Sequence, residues 1–172
     1  MPIFKSLQPA GKLPAADEGA AGWALMDVQA RRLANSVLRV TATMPAGASQ
    51  VTLSAVAKTV ECPGQHLRAD HETGMMETET KPPVEIPLSV IRINNIVLAG
   101  VAGDVGSEIG MKFKAASPLP DSTMITMTSG SIGYILADAS YQHPGHAVMG
   151  SPLKQGCAEK AMVQGLIDLI SH

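Results

Sequence analysis

Residues 84–128 constrain the fold more than any other stretch. VEIPLSVIRI at 84–93 and IVLAGV at 96–101 are apolar, β-branched runs separated by Asn94 and Asn95. Asn tolerates positive φ, so two of them make a two-residue turn between antiparallel strands. Pro87 interrupts the first run. It has no N–H to give to a ladder, so it predicts an edge position or a bulge. Gly103, Asp104 and Gly106 then form a tight turn, 107–116 reads as a helix with Ser107 as its cap, and TMITMT at 123–128 returns as a short strand. A strand–helix–strand segment of this kind belongs to a layered fold with helices on a sheet.

The flanking sequence fits that frame. Residues 1–16, with Pro2, Pro9, Pro14 and Gly11, read as an irregular lead-in. From Asp17 to Met44 the chain is Ala-rich and free of Pro, with an imperfect helical stripe of Leu25, Val28, Leu33, Val37 and Val40. This predicts a long helix that packs across the sheet. QVTLSAVAKTVE at 50–61 alternates as a half-buried strand does. Residues 62–83 have no period and carry Gly, Pro, His and acidic residues, so they are expected to form a long, mobile loop. Residues 155–170 form a closing amphipathic helix with Ala158, Met162, Leu166, Leu169 and Ile170 on its apolar side. The expected architecture is an α/β (or α+β) layered fold: a mixed sheet with a long N-terminal helix and a C-terminal helix packed on it. It forms a single unit over 17–172.

Composition narrows the function classes. At 172 residues, 45% hydrophobic and 16% charged, the chain can bury a core, which excludes wholesale disorder. The net charge of −2 supplies no basic field for nucleic acid or an anionic membrane surface. No apolar run reaches the roughly 18 residues of a membrane-spanning helix, and the N-terminus lacks a signal-peptide core. The chain is expected to be soluble and, by default, cytoplasmic. Cys62 and Cys157 lie far apart and form no CxxC motif, so ordinary thiols are expected. Aromatic residues are scarce: Phe4, Trp23, Phe113, Tyr134 and Tyr141 are the full set. Each tyrosine therefore calls for its own explanation.

Two constellations carry possible chemistry. GVAGDVGSEIG at 100–110 runs from a buried strand through glycines into a helix, where ligand sites of α/β sheets gather. Its glycine spacing matches neither GxGxxG nor GxxxxGK[ST], so on pattern alone a structural turn is the stronger reading. Asp104 at the strand end can ligate a metal or act as a base, or it can cap the helix that follows. TSGSIGYI at 128–135 also follows a strand. Its Tyr134 is, on residue type alone, a half-buried ring whose hydroxyl bonds to backbone. The histidine pairs His66 with His71 and His143 with His146 have no HExxH spacing, and Pro144 breaks any helical face. They read as exposed loop histidines, although a local metal site with Asp104 is conceivable.

The order of these segments resembles the neutral/alkaline non-lysosomal ceramidase family. The family pattern is a strand ending in G-x-x-G-E, a helix of the form T-x-x-G-x-x-[LF], then a strand and an N-x-Y-x-x-Y segment. Here GVAGD, SEIGMKF and SIGYILADASY follow in the same order, and the likeness spans about 20–171, best over 84–150. It implies a zinc-dependent amidase that splits an N-acyl bond, with the chain matching the second half of the catalytic domain. The carboxylate ligand then falls on Asp104, beside Gly103, and the tyrosine ligand on Tyr134. The earlier aromatic position of the segment is Ser131. Two departures stand out. Asp104 is one methylene shorter than the family Glu, and the half bearing the two histidine ligands has no counterpart here. A catalytic zinc takes three protein ligands plus water, so the resemblance implies that a further chain or segment completes the site. The alternative is a degenerate, non-catalytic domain acting by oligomerisation or partner binding.

Overall fold

The computed structural model describes residues 15–69, 76–143 and 145–171. It divides into two units, one reaching to Ser49 and one from Gln50 onward. Of the irregular lead-in expected over 1–16, residues 1–14 lie outside the described residues, and Ala15 and Ala16 already belong to the first helix.

The first unit holds α1 (Ala15–Thr43). Every described side chain from 19 to 43 is exposed, including Trp23 and Leu33. Of the two helices expected on the sheet, the C-terminal one packs there, within the second unit.

The second unit is built on a four-stranded mixed sheet, ordered β1 (Leu53–Ala69), β2 (Met76–Ile93), β3 (Ile96–Val101) and β5 (Asp121–Ile125). β1 and β3 flank β2 antiparallel, and β3 pairs with β5 in parallel. Between β3 and β5 come the short β4 (Asp104–Val105) and α2 (Ser107–Ala116). The mixed α/β layering read from the sequence is therefore present. Asn94 takes φ 52° at the β2–β3 turn, as its residue type suggested. A two-residue β6 (Tyr134–Ile135), a 3₁₀ turn (Asp138–Gln142), the single-turn α3 (His146–Met149) and α4 (Ala158–Ser171) complete the chain.

One face of the sheet buries Ile86, Leu88 and Val90 of β2 and Val97, Ala99 and Val101 of β3. Against them lie Ile109 and Phe113 of α2 and Met162, Leu166 and Ile170 of α4. This helical layer sets the core, because alternate strand residues point to opposite faces.

Three expectations are corrected. The stretch 62–83 is not a loop but the outer arms of the β1–β2 hairpin, paired His66 to Glu79 and Arg68 to Glu77; only 70–75, with His71, falls outside the described residues. Cys62 and Gln65 are buried at the base of these arms, while 77–83 are exposed and carry no apolar alternation; Thr alternating with Glu still suits a strand. Pro87 lies in an interior strand, not an edge. Leu88 is the last β2 residue paired with β3, so Pro87 sits one position past that pairing, and the ladder's irregularity falls instead between Cys62 and Gly64, opposite Pro82 and Pro83. Cys62 and Cys157 are not free thiols: they form a disulfide (S–S 2.03 Å) joining β1 to the start of α4. Their sequence separation of 95 hid a contact made only when α4 docks beside β1. Such bridges persist in oxidising surroundings.

Candidate functional site

The two extended segments 96–105 and 121–135 run in parallel, and each contributes to both sheets. The first breaks for only two residues, Ala102 and Gly103, between β3 and β4. The second makes an eight-residue excursion between β5 and β6. The excursion is tied back by Met127 N–H to the Gly103 carbonyl, Thr128 N–H to Val101 and Ile132 N–H to Ala102, each at 3.0 Å. This brings β6 alongside β4 in a parallel ladder whose register sets Asp104 opposite Tyr134 and Val105 opposite Ile135. Asp104 N–H donates to the Gly133 carbonyl and Gly106 N–H to the Ile135 carbonyl, both at 2.9 Å.

The two residues named from the sequence, 30 positions apart, are thus register partners, each the first residue of its short parallel strand. Register partners in a parallel pair face the same side, at the ~4.8 Å spacing of neighbouring strands. Gly103 makes the contact possible. A Cβ there would lie 2.6 Å from Ile135 Cδ1 and 3.1 Å from the Gly133 carbonyl oxygen. Ser131 is exposed, and its Oγ accepts the Gly133 N–H at 3.2 Å, which holds the turn leading into Tyr134.

Neither residue takes the structural role its type suggested. The N-cap of α2 is Gly106, and no side chain caps that helix, so Asp104 is an exposed carboxylate without a capping duty and Ser107 is not the cap. The hydroxyl that bonds to backbone is that of Tyr141, not Tyr134. Tyr141 Oη donates to the Leu153 carbonyl at 2.9 Å and lies 3.0 Å from Ser151 Oγ. Burial raises the Tyr141 phenol above its ordinary value, opposed by the Ser151 hydrogen bond and reinforced by the charge of Asp138.

Tyr134 is held by its surroundings in a way the sequence did not announce. Ser151 Oγ donates to its carbonyl at 2.9 Å. The His146 ring meets the Tyr134 ring edge-on, centroids 5.7 Å apart at 79°. Gly150 leaves room for the ring, since a Cβ there would come within 3.0 Å of Tyr134 Cδ2. One turn of helix, α3, supplies His146 and leads into Gly150 and Ser151. The only sequence signal was the Gly and Ser cluster at 145–151. His143 is exposed, as expected, and Pro144 lies outside the described residues.

Asp104 and Tyr134 offer one carboxylate and one phenol, hard oxygen donors of the kind a divalent cation accepts. Among the described residues no group of three or more His, Cys, Asp or Glu side chains is placed to hold a metal. Two such donors are fewer than the three protein ligands that a catalytic zinc takes. No helix among the described residues is long and apolar enough to cross a membrane. No family model, no curated protein and no solved structure matches the chain.

Proposed function

We propose that the second unit is one half of a ceramidase-like, zinc-dependent amide hydrolase that cleaves an N-acyl bond, a sphingolipid amide among the candidates. The observation that supports this reading is the β4–β6 ladder: it makes the two residues matching the family's carboxylate and tyrosine ligands register partners, and Asp104 caps no helix. Asp104 and Tyr134 would hold the zinc, completed by ligands from another chain or segment. Bound zinc polarises an amide carbonyl and acidifies its water. In this chain Asp104 presents its charge at the strand end, and the phenol of Tyr134, fixed by His146, Gly150 and Ser151, is available to donate to oxyanion charge developing on the carbonyl.

The test is metal analysis and an N-acyl amide hydrolysis assay on the assembly purified with whatever co-isolates with this chain. The reading expects zinc and turnover, with Asp104→Ala losing both. Absence of zinc, or hydrolysis untouched by Asp104→Ala, contradicts it.

A second reading keeps the fold and drops the chemistry: a non-catalytic domain that works through association. The sheet face opposite the helices favours it. Leu53, Ile91, Ile96 and Ile125 lie on that face and are 40–66% exposed. A contiguous apolar sheet face marks an interaction surface. Light scattering coupled to size exclusion tests it; a clean monomer that captures no partner counts against it.

A further inference from the structure

The apolar residues of α1 are exposed, and six of them are strictly spaced. Trp23, Met26, Ala30, Leu33, Val37 and Val40 follow one another at alternating intervals of three and four, and Met44 continues the series just past the helix end. Alternating threes and fours make a period of 3.5, the heptad with an apolar residue at every a and d position. A helix that lies on a sheet buries a broad stripe, whereas a strict a/d stripe is the narrow seam that meets another helix. From Trp23 to Met44 the seam runs for three heptads, about 32 Å of helix. Each of the six is exposed, the five larger ones by 52–69%. Leu25, Val28 and Leu38 fall outside the seam, at c, f and b positions.

The seam complements itself when two copies run antiparallel, where each a position faces a d position. In the register centred between Arg31 and Arg32, Trp23 faces the partner's Val40, Met26 the partner's Val37 and Ala30 the partner's Leu33. The two-fold axis repeats these three layers on the other side. Every layer then sets a large side chain against a smaller one, which fills the space between two helices evenly. A parallel pair in register would stack Trp on Trp and Ala on Ala, one layer crowded and one hollow. Among the e and g positions from 22 to 43 only Asp27 is ionised, and it faces the partner's Ala34. Arg31, Arg32 and Arg39 occupy b and c positions, so no like charges oppose each other across the seam.

We propose that α1 is a dimerisation helix: two copies of the chain pair through an antiparallel coiled coil with Ala30 and Leu33 at its centre. The seam belongs to α1 alone, so the proposal stands whether or not the second unit is a hydrolase.

Light scattering coupled to size exclusion reads the mass of the full chain. Leu33→Glu puts a charge into both central layers. Leu38→Glu makes the same change at a leucine of similar exposure outside the seam. The proposal expects twice the chain's mass for wild type and for Leu38→Glu, and a dimer weakened at least about a hundredfold in Leu33→Glu, since an unpaired charge would be buried at each. Nitroxide labels read the direction. Both native cysteines are bridged, so a label on Ala42→Cys attaches there alone. Position 42 is an f position, away from the seam. In the antiparallel register the two labels lie about 32 Å apart along the axis, and in a parallel one they lie level. Label distances above about 30 Å are therefore expected. If Leu33→Glu does not fold, the labelled chain, whose seam is intact, still decides. A monomeric wild type, a dimer untouched by Leu33→Glu, equal disruption by Leu38→Glu, a different protein bound in place of the second copy, or labels closer than about 30 Å each overturns the proposal.

Discussion

Gly103→Ala perturbs the junction on which the candidate site depends. The added Cβ would lie 2.6 and 2.9 Å from Ile135 Cδ1 and Cγ1 and 3.1 Å from the Gly133 carbonyl oxygen. Ile135 is fully buried, so its side chain has nowhere to swing, and the carbonyl already accepts Asp104 N–H. Overpacking of this kind costs about 1–3 kcal/mol. Gly103 is not at positive φ, so Ala also gains roughly 0.4–1 kcal/mol by stiffening the unfolded chain. The net is a loss of about 1–2 kcal/mol. For a unit of about 120 residues that lowers Tm by roughly 4–8 °C. Calorimetry reads the shift, and exchange of the Asp104 amide should quicken as β6 is pushed from β4. Ile135→Val removes the nearest clashing atom. Alone it costs about 0.5–1.5 kcal/mol, yet combined with Gly103→Ala it should recover part of the loss, a coupling of about 1 kcal/mol. A Tm unchanged by Gly103→Ala, or strict additivity in the double variant, refutes the reasoning.

Three further outcomes follow. Removing the Cys62–Cys157 bridge, by reduction or by replacing both residues with Ala, frees a 95-residue loop in the unfolded chain and should cost roughly 4–5 kcal/mol in urea unfolding; native protein in which two thiols titrate contradicts the bridge. Lys112 and then the Asp138 N–H hold the Glu159 carboxyl below its usual range. The stabilisation is complete above the unfolded value of about 4.3 and fades as pH falls through the folded one. Glu159→Gln should therefore be less stable than wild type near neutrality, with the gap closing in acid, and equal melting at pH 7 removes the argument. In alkaline spectrophotometric titration one phenol should ionise above its ordinary value and vanish in Tyr141→Phe. Its contribution to stability is whole below about pH 10 and is lost as pH rises through the raised value.

The sequence carried the elements whose burial is one-sided. The strands within 84–101, the helix at 107–116 and the stripe of Ala158, Met162 and Leu166 read correctly because each faces the same core, and the exposed Asn94 turn read correctly from residue type. The hairpin arms at 62–69 and 76–83 did not, since the buried positions Cys62, Gly64 and Gln65 show no apolar period and 77–83 are exposed; the Glu–Thr alternation at 77–80 was the available clue. Asp104 and Tyr134 could be named from residue type and from the order of motifs. Their pairing is a property of the parallel ladder, which no local pattern encodes. TMITMT at 123–128 read as a strand to its end, but β5 stops at Ile125, and the positive φ of Met127 and Ser129 is not something their residue types announce.

The central claim is that β4 and β6 set Asp104 beside Tyr134. Nuclear Overhauser contacts between the backbone protons of these two residues, measured together with exchange of the Asp104 and Gly106 amides, test it most directly. The account predicts cross-strand contacts of a parallel pair and slow exchange at both amides. Missing contacts, with both amides exchanging freely, would contradict it.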